Sequence, residues 1–77
     1  MVKKYYAPAG GMIRSRVELG SFVKQGELLY QILCFNKNGD FPSIVDVGAE
    51  SDVFVFDLSA NQSVNQGEYV LSVMVES

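Results

Sequence analysis

The side chains that enzymes most often use for proton transfer and metal binding are scarce in this chain of 77 residues. Histidine is absent, which removes the usual general base, the Ser-His and Cys-His nucleophile pairs and the commonest zinc ligand. Cys34 is the only cysteine, so neither an intramolecular disulfide nor a thiolate zinc cluster can form. It has no basic neighbour that would favour a reactive thiolate, so we expect a buried, inert thiol. The sequence therefore predicts a chain that is not itself an enzyme and holds no cofactor.

The acidic side chains are the remaining candidates for binding a metal. Asp40, Asp46, Glu50, Asp52 and Asp57 lack the dense spacing of a calcium-binding loop. Asp46, Glu50 and Asp52 lie close enough in sequence to chelate weakly, but an all-oxygen set of ligands favours calcium or magnesium over zinc. We therefore expect no catalytic metal site in this chain.

The distribution of charge and of apolar residues bounds the partners. Six basic residues stand against nine acidic ones, with a net charge of −3, so no basic patch is available for nucleic acid. Lys3-Lys4 at the start is followed by Tyr5-Tyr6 without the apolar segment of a signal peptide, and no apolar run is long enough to span a bilayer. We expect a cytoplasmic protein with no nucleic-acid or membrane partner.

Strand-forming runs separated by glycines predict an all-β domain. The runs combine β-branched, aromatic and other apolar residues and are interrupted before any helical period can develop. They are Met12–Val17, Leu28–Leu33, Val53–Leu58 and Tyr69–Val75. The length allows a single domain over residues 1–77, with halves at about 5–33 and 44–76 joined by a hairpin over 34–43.

An internal repeat organises these runs. Gln25-Gly26-Glu27 recurs as Gln66-Gly67-Glu68, and the same offset of 41 residues aligns apolar positions before and after it. The aligned pairs are Met12 with Val53, Ile13 with Phe54, Val17 with Leu58, Val23 with Val64, Leu29 with Val70, and Ile32 with Val73. Two copies of one motif predict a pseudo-twofold arrangement in which each half buries its apolar face against the other. We expect structural turns at Gly11, Gly20, Gly26, Gly39 and Gly67, with positive φ at or beside Gly26 and Gly67.

The first half of the chain resembles the first half of biotinyl/lipoyl domains. Tyr6–Ile13 carries Ala-Pro and two glycines before a strand, and Val17–Leu29 carries Leu-Gly, Val-x-x-Gly and two leucines. The second half repeats the pattern in degraded form, with Gly48-Ala49 in the place of Ala-Pro. The resemblance implies a barrel-sandwich hybrid, which is a flattened β-barrel of two antiparallel sheets. The fold hosts several unrelated functions.

Lys37 lies close to the position at which carrier domains attach biotin or lipoate. Its neighbours are Asn36 and Asn38, whereas carriers place the lysine within Met-Lys-Met or Asp-Lys-Ala. Asn38-Gly39 is a strong signal for a two-residue hairpin turn. A solvated turn residue is therefore the favoured interpretation of Lys37, and an attachment site is the alternative.

A second resemblance is to the C-terminal domain of the succinylglutamate desuccinylase/aspartoacylase family of zinc-dependent deacylases. Ala9–Ile13 and Val17–Gly20 match its opening strand and the turn that follows, and its hairpin is long, polar and without a modified lysine. In that family the zinc ligands and the catalytic glutamate lie in the preceding domain, and this chain has no histidine to receive them. The resemblance implies a non-catalytic accessory domain that shapes a substrate entrance or makes domain or subunit contacts. Its partner would be an upstream catalytic domain of the same protein, or another protein domain.

Two alternatives remain open: a carrier-like domain with Lys37 as its attachment point, and a structural hybrid module of a larger assembly. Phe35 and Phe41 flank the hairpin and are candidate docking residues. Tyr5 and Tyr6, expected on an edge strand, suit a seam between domains because their rings are amphipathic. Phe54 and Phe56 share one strand face, for which core packing is the default expectation.

Overall fold

A computed structural model describes residues 1–35 and 41–75, and in this part of the chain all regular structure is β-strand. The strands are β1 (Val2–Tyr6), β2 (Gly11–Arg16), β3 (Phe22–Val23), β4 (Leu28–Cys34), β5 (Ser43–Gly48), β6 (Val53–Leu58), β7 (Ser63–Val64) and β8 (Tyr69–Val75). They form two antiparallel four-stranded sheets, with strand orders β1-β8-β6-β3 and β5-β4-β2-β7. The predicted all-β class is confirmed, and the architecture is a two-sheet sandwich. The described residues contain no helix that could cross a membrane.

The core lies between the two sheets and is built mainly from β4 and β8. These strands are the most apolar runs in the sequence, and each has a neighbour on both sides in its sheet. Because alternate residues of a strand point to opposite faces, β4 turns Tyr30 and Ile32 inward and leaves Gln31 partly exposed. The largest fully buried side chains are Leu29, Tyr30, Ile32, Val55, Val70, Leu71 and Val73.

The two sheets have the same strand order when each strand is exchanged for the one four places along the chain. This exchange relates β1 to β5, β2 to β6, β3 to β7 and β4 to β8. Each sheet therefore contains two strands from the first half of the chain and two from the second. Neither half has a complete sheet of its own, so each needs the other to satisfy its strand edges and cover its apolar faces.

The offset of 41 residues is wrong by one residue in part of the chain. Ile13 pairs with Ile32, and Val55 pairs with Val73, which is the counterpart of Ile32. Ile13 therefore corresponds to Val55, whereas the constant offset matches it to Phe54. The loop between β2 and β3 contains one residue more than the loop between β6 and β7. A gap-free alignment cannot represent that difference. The offset of 41 residues is therefore correct for β3 with β7 and for β4 with β8, but it is one residue too small for β2 with β6.

The expectation that Phe54 and Phe56 pack in the core is also wrong. Val53 and Val55 occupy the buried face of β6, while Phe54 is only partly covered and Phe56 is exposed. Because side chains alternate along a strand, burying the valines places the phenylalanines outside. The smaller β-branched residues fill the space between the sheets, and the aromatic face of β6 points to solvent.

Candidate docking surface

The two phenylalanines beside the hairpin lie on the surface. Phe35 follows the end of β4 and Phe41 comes shortly before β5, and they are 61% and 94% exposed. Cys34 and Ser43 form the last strand pair before this connection, and the Cys34 side chain is half-buried. Lys37 and Gly39, for which the sequence predicts a turn, lie outside the described residues.

Tyr5 and Tyr6 take different environments because they are neighbours on the edge strand β1. Tyr5 is 7% exposed and belongs to the core, and its hydroxyl accepts a hydrogen bond from the Glu50 backbone N–H at 3.4 Å. Tyr6 is exposed and its ring stands edge-on to Tyr69, with ring centroids 6.4 Å apart. Of the two candidate docking tyrosines, only Tyr6 has an exposed ring.

Two glycine turns have closely similar hydrogen bonds. The Gly26 N–H donates to the Ala49 carbonyl oxygen at 2.9 Å, and the Gly67 N–H donates to the Ala7 carbonyl oxygen at 2.8 Å. Their φ angles are 86° and 88°, in the left-handed region that favours glycine. Gly20 has φ of 88° as well. These turns anchor the loop before β4 and the loop before β8 to the opposite half of the chain.

Glutamates complete the same two turns. A carboxylate oxygen of Glu27 accepts a hydrogen bond from the Lys24 N–H at 3.0 Å, and Glu68 accepts one from the Asn65 N–H at 2.6 Å. In both cases the glutamate is three residues after its donor, so the interaction closes the turn locally. These carboxylates are therefore engaged in holding backbone and are not arranged as ligands.

A polar cluster joins β6 to β8. The Tyr69 hydroxyl donates to the Asp57 carboxylate and lies 2.6 Å from the hydroxyl oxygen of Ser72, which is buried. Burial raises the pKa of Tyr69, and the hydrogen bond to Asp57 raises it further. A phenol held protonated in this way is a poor base, and the cluster lies where Asp57 and Ser72 are paired across the sheet. Its contribution is to fix the two strands.

Metal-binding groups do not converge in the described part of the chain. No group of three or more cysteine or acidic side chains within it could hold an ion. Glu50, one of the acidic candidates, instead pairs with Lys3, and this hydrogen bond is the main cause of a raised pKa at Lys3. Asp46 accepts a hydrogen bond from the Gln31 side-chain amide at 2.8 Å, and Asp52 accepts one from the Gln25 N–H at 2.8 Å.

An apolar row crosses the solvent face of the sheet β1-β8-β6-β3. Val2 pairs with Met74, Met74 with Phe54, and Phe54 with Phe22, so one residue from each strand contributes. We call these four residues the outer row. Phe22 is 84% exposed, and its ring lies 4.9 Å from that of Phe54 at an interplanar angle of 46°. Apolar side chains that adjoin one another across four strands make a contiguous patch, which is a candidate for protein contact.

Three members of the outer row, Phe22, Phe54 and Met74, line an open groove of about 620 Å³. Met1 and Val75 also line this groove, and Lys24 and Asp52 bring charges of opposite sign to its margin. The opposite sheet carries a shorter row, Ile44, Leu33 and Met12, which ends at Ser63. Ser63 occupies the place that corresponds to Phe22. The outer row therefore ends in an aromatic residue, whereas the row on the opposite sheet ends in a serine.

Sequence reasoning missed the outer row because its members lie far apart in the chain. The signal that could have found it is the alternation in β6, where Val53 and Val55 share one face and Phe54 and Phe56 the other. If the valines are taken as the buried face, the phenylalanines must point outward. The opposing residues of β8 and β3 would still require the strand pairing, which no local pattern supplies.

The buried Tyr30 predicts a stability loss at high pH. Its hydroxyl donates to the Tyr6 carbonyl oxygen at 3.2 Å, and burial raises the pKa of Tyr30 to about 12. The folded state therefore keeps this proton where the unfolded chain releases it near pH 10. The stabilisation is complete below pH 10 and is lost as the pH rises toward 12, by about 1–3 kcal/mol.

Urea unfolding followed by circular dichroism at a series of alkaline pH values measures this loss. Tyr30→Phe removes the titrating group, so its disadvantage relative to the original chain should shrink as the pH rises from 10 to 12. A disadvantage that stays constant over this range would contradict the assigned titration.

Comparison with known proteins adds evidence at the level of the fold. No protein-family model and no curated protein sequence matches the chain. Among solved structures, a protein assigned as a succinylglutamate desuccinylase/aspartoacylase from Shewanella frigidimarina NCIMB 400 aligns with a TM-score of 0.84 and 27% identity. The alignment covers 97% of this chain and 20% of that one.

Two further structures share the fold at lower identity. A succinylglutamate desuccinylase/aspartoacylase family protein from Shewanella amazonensis SB2B aligns over 97% of this chain and 20% of its own, with a TM-score of 0.77 and 23% identity. The ectoine utilization protein EutE (DoeB) from Ruegeria pomeroyi, solved with product bound, aligns over 95% of this chain and 22% of its own, with a TM-score of 0.74 and 22% identity. This chain thus spans about a fifth of the length of these proteins and has the fold of one part of the succinylglutamate desuccinylase/aspartoacylase family structures.

Proposed function

We propose that this chain is a non-catalytic accessory β-domain of a zinc-dependent amide hydrolase of the succinylglutamate desuccinylase/aspartoacylase type. The observation that carries this proposal is the alignment of 97% of the chain with one fifth of the Shewanella frigidimarina protein at a TM-score of 0.84. The sequence resemblance at Ala9–Ile13 and Val17–Gly20 points to the same family. In this proposal the catalytic domain is either part of the same polypeptide or a separate partner.

The chemistry of the chain supports an accessory role over a catalytic one. The sequence has no histidine, and the carboxylates of Glu27, Glu68 and Asp52 are used to hold turn backbone. What the described surface offers instead is contact area, in the outer row and at Phe35. The domain would then act by shaping the substrate entrance or by making domain or subunit contacts.

The biotinyl/lipoyl-like barrel-sandwich hybrid and the internal repeat belong to the same proposal. The matching strand orders of the two sheets and the matching turns at Gly26 and Gly67 support two copies of one structural unit. The resemblance of the sequence to the C-terminal domain of this family implies the same barrel-sandwich hybrid for that domain. A cytoplasmic location is proposed on the same basis.

The isolated chain is expected neither to bind zinc tightly nor to hydrolyse N-acyl amino acids. Catalytic zinc takes about three protein ligands and an open position for water, and the described carboxylates do not converge to supply them. Calorimetric titration measures zinc binding, and an assay on N-acetyl-aspartate and succinyl-glutamate measures hydrolysis. A zinc-dependent desuccinylase serves as the positive control.

Micromolar zinc affinity together with turnover would overturn the accessory-domain proposal, because the chemistry would then reside in this chain. Heat release without turnover would leave the proposal intact, since surface carboxylates bind divalent ions weakly.

A further inference from the structure

We propose that the two halves of this chain recognise each other by opposite charge, so that residues 1–35 pair with residues 41–77 in preference to a second copy of themselves. This recognition is a property of the fold and is independent of the hydrolase assignment. It follows from the strand pairing, from the symmetry of the two sheets and from the division of charge along the sequence.

Charge is divided unevenly between the halves. Residues 1–35 contain five basic and two acidic residues, which gives a net charge of +3. Residues 41–77 contain six acidic residues and no basic one, which gives a net charge of −6. The basic residues of the first half are Lys3, Lys4, Arg14, Arg16 and Lys24, and the acidic residues of the second are Asp46, Glu50, Asp52, Asp57, Glu68 and Glu76. The halves therefore attract each other, whereas two copies of either half repel.

Most of the strand pairing in the fold joins one half to the other. β1 pairs with β8, β2 with β7, β3 with β6 and β4 with β5. Among the described strands, only the pairs β2–β4 and β6–β8 lie within one half. The surface of each half that meets the other half thus includes strand edges on both sheets and the apolar core between them.

The symmetry of the sheets makes self-pairing of a half possible in principle. Because each strand of one half has its counterpart in the other, two copies of one half would supply the same strand order. Backbone hydrogen bonding and apolar packing therefore discriminate weakly between the correct pairing and a self-pairing. Charge supplies the discrimination, since repulsion between like halves disfavours the wrong partner.

Charged side chains make contacts across the boundary between the halves. Lys3 of β1 pairs with Glu50, and the Arg16 guanidinium donates a hydrogen bond to the Ser59 carbonyl oxygen at 2.8 Å. Two carboxylates of the second half accept hydrogen bonds from the first half, Asp46 from the Gln31 side-chain amide and Asp52 from the Gln25 N–H. The acidic partners in these contacts are exposed or partly exposed, so salt should screen their attraction.

Cutting the folded full chain between its halves measures their recognition. A protease recognition sequence inserted between Lys37 and Asn38 provides the cut, and a longer connection costs little because loop-closure entropy grows slowly with length. Native mass spectrometry and sedimentation velocity should then find one species that contains one copy of each half. We expect a Kd on the order of 1 µM or tighter at low salt, rising about fivefold between about 0.05 M and about 0.5 M NaCl.

Matched charge variants give opposite expected results. Asp46→Asn together with Asp52→Asn keeps both accepting oxygens, removes two charges from the acidic half and should raise the Kd about threefold. Glu18→Gln together with Glu27→Gln removes two negative charges from the basic half and should lower the Kd about threefold. Circular dichroism of the uncut chains verifies that each variant is folded.

Halves that separate after the cut, or that each pair with their own kind, would overturn the proposal. So would a Kd that does not rise with salt, or a shift in the same direction by both double variants, because packing alone would then hold the halves together. An uncut chain that fails to fold with the inserted sequence would also contradict it, since the pairing would depend on a short connection.

Discussion

Gly11→Ala is expected to lower the free energy of unfolding by about 3 kcal/mol, as overpacking against backbone does. A Cβ atom on Gly11 would lie 2.2 Å from the Leu33 carbonyl oxygen and 3.0 Å from the Ile32 Cγ2 atom. The first of these is backbone of the central strand β4 and cannot move aside without disturbing the pairing of β2 with β4. Urea unfolding monitored by circular dichroism gives the change.

The adjacent glycine supplies a matched control. A Cβ atom on Gly10 would meet its nearest neighbour, the Val64 carbonyl oxygen, at 3.6 Å, which is an ordinary contact. Gly10→Ala should therefore change the stability by no more than about 0.5 kcal/mol. Equal losses of stability in the two variants would show that the close approach of Gly11 to β4 is not the reason for a glycine at position 11.

Gly26→Val and Gly67→Val should each destabilise the fold by about 2 kcal/mol, because a β-branched residue is strained at positive φ. Nothing lies within 4 Å of a Cβ atom at either position, so the effect comes from the backbone conformation and not from crowding. The two losses should be similar, since each turn is held by one carbonyl of the opposite half and by one glutamate.

Asparagine separates conformational strain from any other effect at these turns. It tolerates the left-handed region better than valine, so Gly26→Asn and Gly67→Asn should cost about 1 kcal/mol or less. Stability measured by chemical unfolding tests this order. Losses as large for asparagine as for valine would contradict a strain mechanism, and strongly unequal losses at the two turns would contradict their structural equivalence.

The class of fold and the long strands were predictable because the signals for them are local. Runs such as Leu28–Leu33 and Tyr69–Val75 are rich in β-forming residues, each follows a glycine turn, and they lie within β4 and β8. The short strands β3 and β7 were not predictable in the same way. Each has two residues and exists only because a partner strand lies beside it.

The exchange of strands between halves and the docking surface depend on distant contacts. No local pattern shows that Phe22 lies opposite Phe54, or that Tyr5 turns into the core while Tyr6 stays outside. The one-residue slip of the repeat arises in a loop, where the sequence carries no periodicity to reveal it. Phe35, Phe41, Tyr5 and Tyr6 were candidate docking residues because of their side-chain type and their place beside the hairpin or on the first strand. The outer row requires the register of four strands.

We propose that this chain serves a zinc-dependent amide hydrolase without performing the chemistry, and purification from the native cells provides the decisive test. The chain is tagged in its source cells and purified together with the longer polypeptide that contains it or the protein that binds it. The purified material is then assayed on N-acetyl-aspartate and succinyl-glutamate with and without a zinc chelator. We expect chelator-sensitive hydrolysis by the native material and none by the isolated 77-residue chain. Native material with no amide hydrolase activity, or turnover by the isolated chain, would contradict it.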